Sequence, residues 1–173
     1  MSLTLSGTSG VLDNSGAFIA GTAVASTSGT SIDFTSIPSW VKRITVNLNN
    51  VSLNSSGYIR LQLGVSGTPE TTGYISGSSL ITNTGGVNYV SSTSGVDLFG
   101  SLASYALNGS IVFTALGSNT WTFDGSTTNT TSTPYTQNTA GSKTLAGTLN
   151  MIRITSSTGT DTFDAGSINI LYE

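Results

Sequence analysis

Apolar residues recur at every second position in short runs of this chain. Ile44, Val46 and Leu48 alternate with Thr45, Asn47 and Asn49, and Ile59, Leu61 and Leu63 alternate with Tyr58, Arg60 and Gln62. Only an extended backbone sorts a period of two into one apolar and one polar side, so these runs read as half-buried strands. The parity slips at Asn49–Asn50, because Val51 and Leu53 are odd-numbered where Val46 and Leu48 are even. A one-residue slip inside a strand is the sequence mark of a β-bulge. Asn54–Ser55–Ser56–Gly57 reads as a turn, and the two runs around it are expected to pair as a hairpin.

The same pattern continues downstream. Ile111 to Leu116 reads as a strand whose partner, Trp121 to Phe123, lies across Gly117–Ser118–Asn119, with Trp121 expected in the core. Ile152 and Ile154 mark another strand, and Ile168, Ile170 and Tyr172 mark a last one. Weaker strand signals fall at 18–26, 31–34, 73–76, 87–90 and 96–99. A single helical turn is expected within 100–107, and no other helix. Many short strands joined by polar, glycine-rich turns predict an all-β fold, an antiparallel β-sandwich with jelly-roll-like connections. Residues 1–17 are expected to form an N-terminal arm or edge strand, and 18–173 a single β-sandwich domain. Residues 125–143, dense in Thr, Ser and Asn, read as a long exposed loop.

Composition narrows the function. The chain has no His and no Cys, and charged residues make up 8% of it, against about 25% in an average domain. About a third of its residues are Ser or Thr. Most catalysts draw their bases, nucleophiles and metal ligands from the residue types that are missing or scarce here, so no enzymatic activity and no cofactor are expected. A pI of about 4.5 and only five cations, Lys42, Arg43, Arg60, Lys143 and Arg153, of which only Lys42 and Arg43 are adjacent, argue against a nucleic-acid partner. No apolar run reaches the length of a membrane span. Phe18–Ile19–Ala20 with Ala23–Val24–Ala25 resembles part of a signal peptide, but Asp13 precedes it in place of a cation, so an N-terminal strand is expected there.

Individual residues offer little chemistry. The acids, Asp13, Asp33, Glu70, Asp97, Asp124, Asp161, Asp164 and Glu173, show no spacing that marks a glycosidase pair. Asp161 and Asp164, in Thr-Gly-Thr-Asp-Thr-Phe-Asp-Ala-Gly-Ser, invite comparison with a Ca²⁺ loop but miss the EF-hand spacing. Side chains bonded to local backbone N–H groups in a turn are the expected reading. Aromatic residues are the best binding candidates: Tyr58, Tyr74, Tyr89, Tyr135, Trp40 and Trp121 could stack on sugars beside Asn and Thr hydrogen-bonding groups. Tyr135, Tyr74 and Tyr58 are singled out as candidate contacts to a glycan or a protein partner.

One stretch is more specific. Phe34–Thr–Ser–Ile–Pro–Ser–Trp–Val–Lys–Arg–Ile–Thr–Val46, with Leu61–Gln–Leu–Gly64, Glu70–Thr–Thr–Gly–Tyr74 and Phe163–Asp–Ala–Gly–Ser–Ile168, resembles a module of tailed-bacteriophage and prophage virion proteins, often tail-fibre proteins. The resemblance spans about 34–173 and carries no catalytic residues. It implies a virion surface β-domain, homotrimeric and assembled in the host cytoplasm, contacting other virion proteins of tail or capsid and in some cases a host surface glycan. The chain lacks the shaft repeats of a long fibre, which leaves room for a short appendage or a capsid decoration protein. A secreted bacterial carbohydrate-binding module or adhesin is the reading from another class.

Overall fold

In a computed structural model, the structure describes residues 5–6, 10–11, 19–82, 85–99, 103, 105–130 and 134–173. The chain folds as strands β1 Leu5–Ser6, β2 Gly10–Val11, β3 Ile19–Ala20, β4 Val24–Ala25, β5 Ser31–Phe34, β6 Arg43–Leu53, β7 Ile59–Val65 and β8 Thr68–Pro69. Then follow β9 Tyr74–Ile81, β10 Val87–Ser92, β11 Val96–Leu98, β12 Leu107–Gly117, β13 Thr120–Asn129, β14 Thr136–Thr144, β15 Leu149–Ser156 and β16 Phe163–Tyr172. Among the described residues there is no helix. Residues 100–102 and 104, where a helical turn was expected, lie outside the described residues; Leu107 already belongs to β12.

Two antiparallel sheets carry the fold. A nine-stranded sheet runs β10-β9-β14-β13-β12-β6-β16-β3, with β4 also on β16, and a five-stranded sheet runs β11-β7-β15-β5, with β8 on β7. The pairing is nested: β4 lies on β16, β5 on β15, β6 on β12 and β7 on β11. β1 and β2 pair with each other as a separate ribbon. The sheets face one another in a sandwich-like arrangement over one core. Ile44, Val46, Ile111, Phe113, Ile168 and Ile170 of the large sheet belong to the same buried cluster as Leu61, Leu63, Ile152, Ile154, Ile32 and Phe34 of the small one.

The bulge expected at Asn49–Asn50 is present. Leu107 faces Val51 but Gly109 faces Leu48, so β6 carries one extra residue there, and Asn50 adopts φ 52°. The extra residue lets β6 keep its apolar side inward on both sides of the slip. The hairpins and strands expected at 111–123, around 152–154 and at 168–172 also form.

Two expectations need correction. β6 and β7 do not form a hairpin, because they lie in different sheets. The turn crosses the end of the sandwich, held by Asn54 N–H on the Thr162 carbonyl (2.9 Å) and Tyr58 N–H on Ser157 Oγ (3.0 Å). Two strands with one apolar face each can bury those faces side by side or across a core, and alternation does not distinguish the two. The described residues of 125–143 are not a loop either. They form most of the β13–β14 hairpin, paired in unbroken register from Thr120–Thr144 to Thr128–Thr136. Their inward positions, Thr127, Asn129, Gln137, Thr139 and Lys143, are buried but polar, so the strands lack the apolar alternation that marked the others.

Candidate functional site

The β9–β10 hairpin edges the large sheet, and its two faces differ. The inward residues of β9 are Tyr74, Ser76 and Ser78, all buried. Ser78 Oγ donates to the Asp97 carbonyl (2.6 Å) and sits 2.7 Å from the Thr139 hydroxyl. The Asp97 carboxylate is gripped on both oxygens by Arg60, at 2.6 and 2.7 Å. Hydrogen bonding to Asp97 raises the Arg60 pKa against the opposing effect of burial. Gln137 accepts from Phe99 N–H (2.7 Å) and donates to Thr127 Oγ1. Ser78, Thr139, Asp97, Arg60, Gln137 and Thr127 are each partnered, as burial requires, so hydrogen bonds tie down the underside of the hairpin.

Outward, β9 presents Ile75, Gly77, Ser79 and Ile81, and β10 presents Val87, Tyr89 and Ser91. Tyr89 is 69% exposed. Its phenol lies over Gly77: a Cβ there would sit 2.7 Å from Tyr89 Oη and 3.2–3.3 Å from the ring carbons. Glycine therefore lets the ring lie low across β9. On one side of the ring is an open groove of about 440 Å³ lined by Ile75, Gly77, Ser79, Tyr89, Asn138 and Ala140. On the other side, a second hollow of about 370 Å³ reaches Ser91 and Thr93. No charged residue occurs in the chain between Glu70 and Asp97. An exposed aromatic ring beside small hydroxyls and a carboxamide can stack on the C–H face of a sugar and hydrogen-bond its hydroxyls without attracting ions.

The three tyrosines singled out from sequence do not converge on this groove. Tyr74 is 2% exposed; its hydroxyl accepts from Leu63 N–H (2.6 Å) and faces the Leu63 carbonyl at 3.4 Å. Lys143 Nζ lies 5.5 Å from its ring centroid and 2.6 Å from Glu70 Oε2. Burial pushes the Tyr74 phenol well above its ordinary pKa. Tyr74 is thus an interior residue with no ring face for a ligand. Tyr58 is half-buried and edge-on to Phe99, centroids 5.4 Å apart. Tyr135, on the β13–β14 connection, is half-buried and edge-on to Tyr105 at 6.0 Å, with its backbone held by Asn129 and Thr128. Trp121 is buried as expected, and Trp40 packs near Tyr172, centroids 6.1 Å apart. The sequence offers Tyr89 as one of six aromatic candidates and does not single it out. Val87 and Tyr89 share one face of β10 by parity, and parity alone does not say whether that face is inner or outer.

Asp161 and Asp164 do not cap the turn with their carboxylates. Hydroxyls do so instead: Gly159 N–H donates to Ser156 Oγ (3.0 Å), and Asp161 N–H to Thr158 Oγ1 (3.3 Å). Asp164 lies in β16 and accepts from Ser52 Oγ. Asp161 is buried against Gly57 with Oδ2 unpartnered. Among the described residues, no group of three or more acidic, His or Cys side chains is gathered to hold a metal. No family model, curated protein or solved structure matches the chain.

Proposed function

We propose that this chain is a non-catalytic structural protein of a bacteriophage virion, a tail-fibre-like or receptor-binding appendage component, that meets a host surface glycan through Tyr89. The observation that carries the reading is the exposed Tyr89 ring lying over Gly77 beside an uncharged groove. The finer fold in this proposal is a jelly roll. Four successive strand pairs nested from the ends inward, β4–β16, β5–β15, β6–β12 and β7–β11, support it, as two interlocked Greek keys would. Strands β9, β10, β13 and β14 then extend one sheet and carry the groove. The resemblance of the Ile37–Ile44 region to virion proteins extends the proposal to a homotrimer attached to other virion proteins, assembled in the host cytoplasm.

Immunogold labelling of purified particles tests the virion assignment, and absence of label from particles overturns it. Retention on host polysaccharide tests the site: Tyr89→Ala is expected to abolish retention while the circular dichroism of the β-fold persists. Light scattering of the full chain checks the trimer.

Capsid decoration is the second reading. It is favoured by the β1–β2 ribbon, which among the described residues pairs with neither large sheet and could clasp a neighbouring capsid subunit. Deleting residues 1–17 is then expected to abolish capsid binding with the sandwich intact, and unchanged binding refutes this version.

A further inference from the structure

Resting on the Tyr89 reading, we propose that the ligand is a linear, uncharged polysaccharide that crosses the strands of the large sheet, not a terminal sugar held at one point. The register brings outward side chains into a transverse row. Tyr89 faces Ser79, Ser79 faces Asn138, and Asn138 faces Ser126. Ser126 faces Ser110, and Ser110 faces Asn47. The row thus steps across six neighbouring strands from β10 to β6, and five gaps at the usual strand spacing give a path of about 24 Å.

The chemistry of the row is uniform after the aromatic start. Hydroxyls and carboxamides both donate and accept, as sugar hydroxyls do. Among the described residues, the side chains of Ser79, Ser110 and Asn47 make no hydrogen bond within the protein, while Ser126 Oγ donates to Asn138 Oδ1 (2.6 Å) and the Asn138 amide N–H groups donate to no described residue. No member of the row is charged. In the parallel row beside it, Gly77, Ala140, Asp124 and Val112, the Tyr89 ring covers Gly77 and the small Ala140 side chain lines the groove next to the ring. That row's one charge, Asp124, is an anion, which disfavours an acidic glycan. A pyranose chain advances per sugar by a length close to the strand spacing, so successive residues of the row can meet successive sugars.

The test is a printed array of linear neutral and acidic bacterial oligosaccharides of increasing length, probed with the full chain, Tyr89→Ala and Asn47→Ala. Neutral glycans are expected to bind, with affinity rising up to about five sugars, one per strand gap. Asn47→Ala, five strands from Tyr89, is expected to weaken the longest ligands on the order of fivefold, the loss of one hydrogen bond, and to leave disaccharides unchanged. Tyr89-dependent binding that is independent of length, or untouched by Asn47→Ala at every length, overturns the crossing path and leaves the Tyr89 site standing. Preference for acidic glycans overturns the uncharged ligand. Absence of binding to any glycan overturns both the path and the reading on which it rests.

Discussion

The two ends of the nine-stranded sheet turn different chemistry toward the same interior. Around β6, β12 and β16 the buried side chains are almost all apolar, Ile44, Val46, Phe113, Ile168 and Ile170 among them, with Ser52, bonded to Asp164, the polar exception among the described residues. Around β13, β14 and β9 they include Thr127, Asn129, Gln137, Thr139, Lys143, Ser76 and Ser78, equally buried. The first end gains from removing apolar surface from water, which needs no particular geometry. The second adds to the apolar Trp121, Phe123 and Tyr74 a set of polar groups that gain little from burial itself and depend on each donor finding its acceptor. The difference teaches that the apolar end holds the sandwich together, whereas the polar end fixes the shape of the hairpin that displays Tyr89.

Substitutions can break or sharpen that contrast. Phe113→Ala, at a fully buried ring 5.6 Å from Phe123, is expected to cost the most, about 3–5 kcal/mol, read from the denaturant midpoint. Gln137→Leu, at the polar end, removes the acceptor of Phe99 N–H and the donor to Thr127. An expected loss of about 1–3 kcal/mol is read the same way; a loss equal to that of Phe113→Ala would abolish the distinction between the two ends.

The Glu70–Lys143 pair gives the polar end a pH signature. Burial tends to raise the Glu70 pKa, but hydrogen bonds from Lys143 and the Ala146 N–H outweigh it and hold the value below the ordinary one. A carboxylate depressed in the folded state adds stability that is present above its unfolded pKa and is lost as pH falls through the folded value. Lys143→Met is therefore expected to flatten the acid limb of a plot of melting temperature against pH. An unchanged limb would show that the pair contributes nothing.

Arg153 and Asp33, bonded at 2.6 and 2.7 Å on the outer face of the small sheet, are about a third exposed. Asp33→Asn is expected to cost about 0–1 kcal/mol, less at high salt. Tyr89→Ala, on the outer face, is expected to stay within about 0.5 kcal/mol of the parent. A larger loss would make Tyr89 a packing residue of the hairpin.

How far each strand was legible follows the same division. β6, β7, β12, β15 and β16 carry Ile, Val, Leu and Phe on alternate positions, and the sequence exposes them, including the bulge at Asn49–Asn50. β13 beyond Phe123, and β14 apart from Ala140 and Gly141, alternate between outward polar and inward polar residues, so no large apolar residue in either strand there marks a buried side. Partnering was hidden even where strands were plain, as β6 and β7 demonstrate. The candidate site was half visible: an uncharged stretch containing Tyr89 can be read directly, but its outward face cannot.

By itself the sequence determined the class of structure and excluded much chemistry, because alternation and composition are local properties of the chain. Period-two apolar runs call for strands, and a chain without His or Cys has few catalytic groups to offer. The tertiary structure decided which strands meet, which polar residues lie inside, and that Tyr89 rests over Gly77 at the head of a row reaching Asn47. Those are relations between residues far apart in the chain, set by how two sheets satisfy their apolar faces and their hydrogen bonds at once.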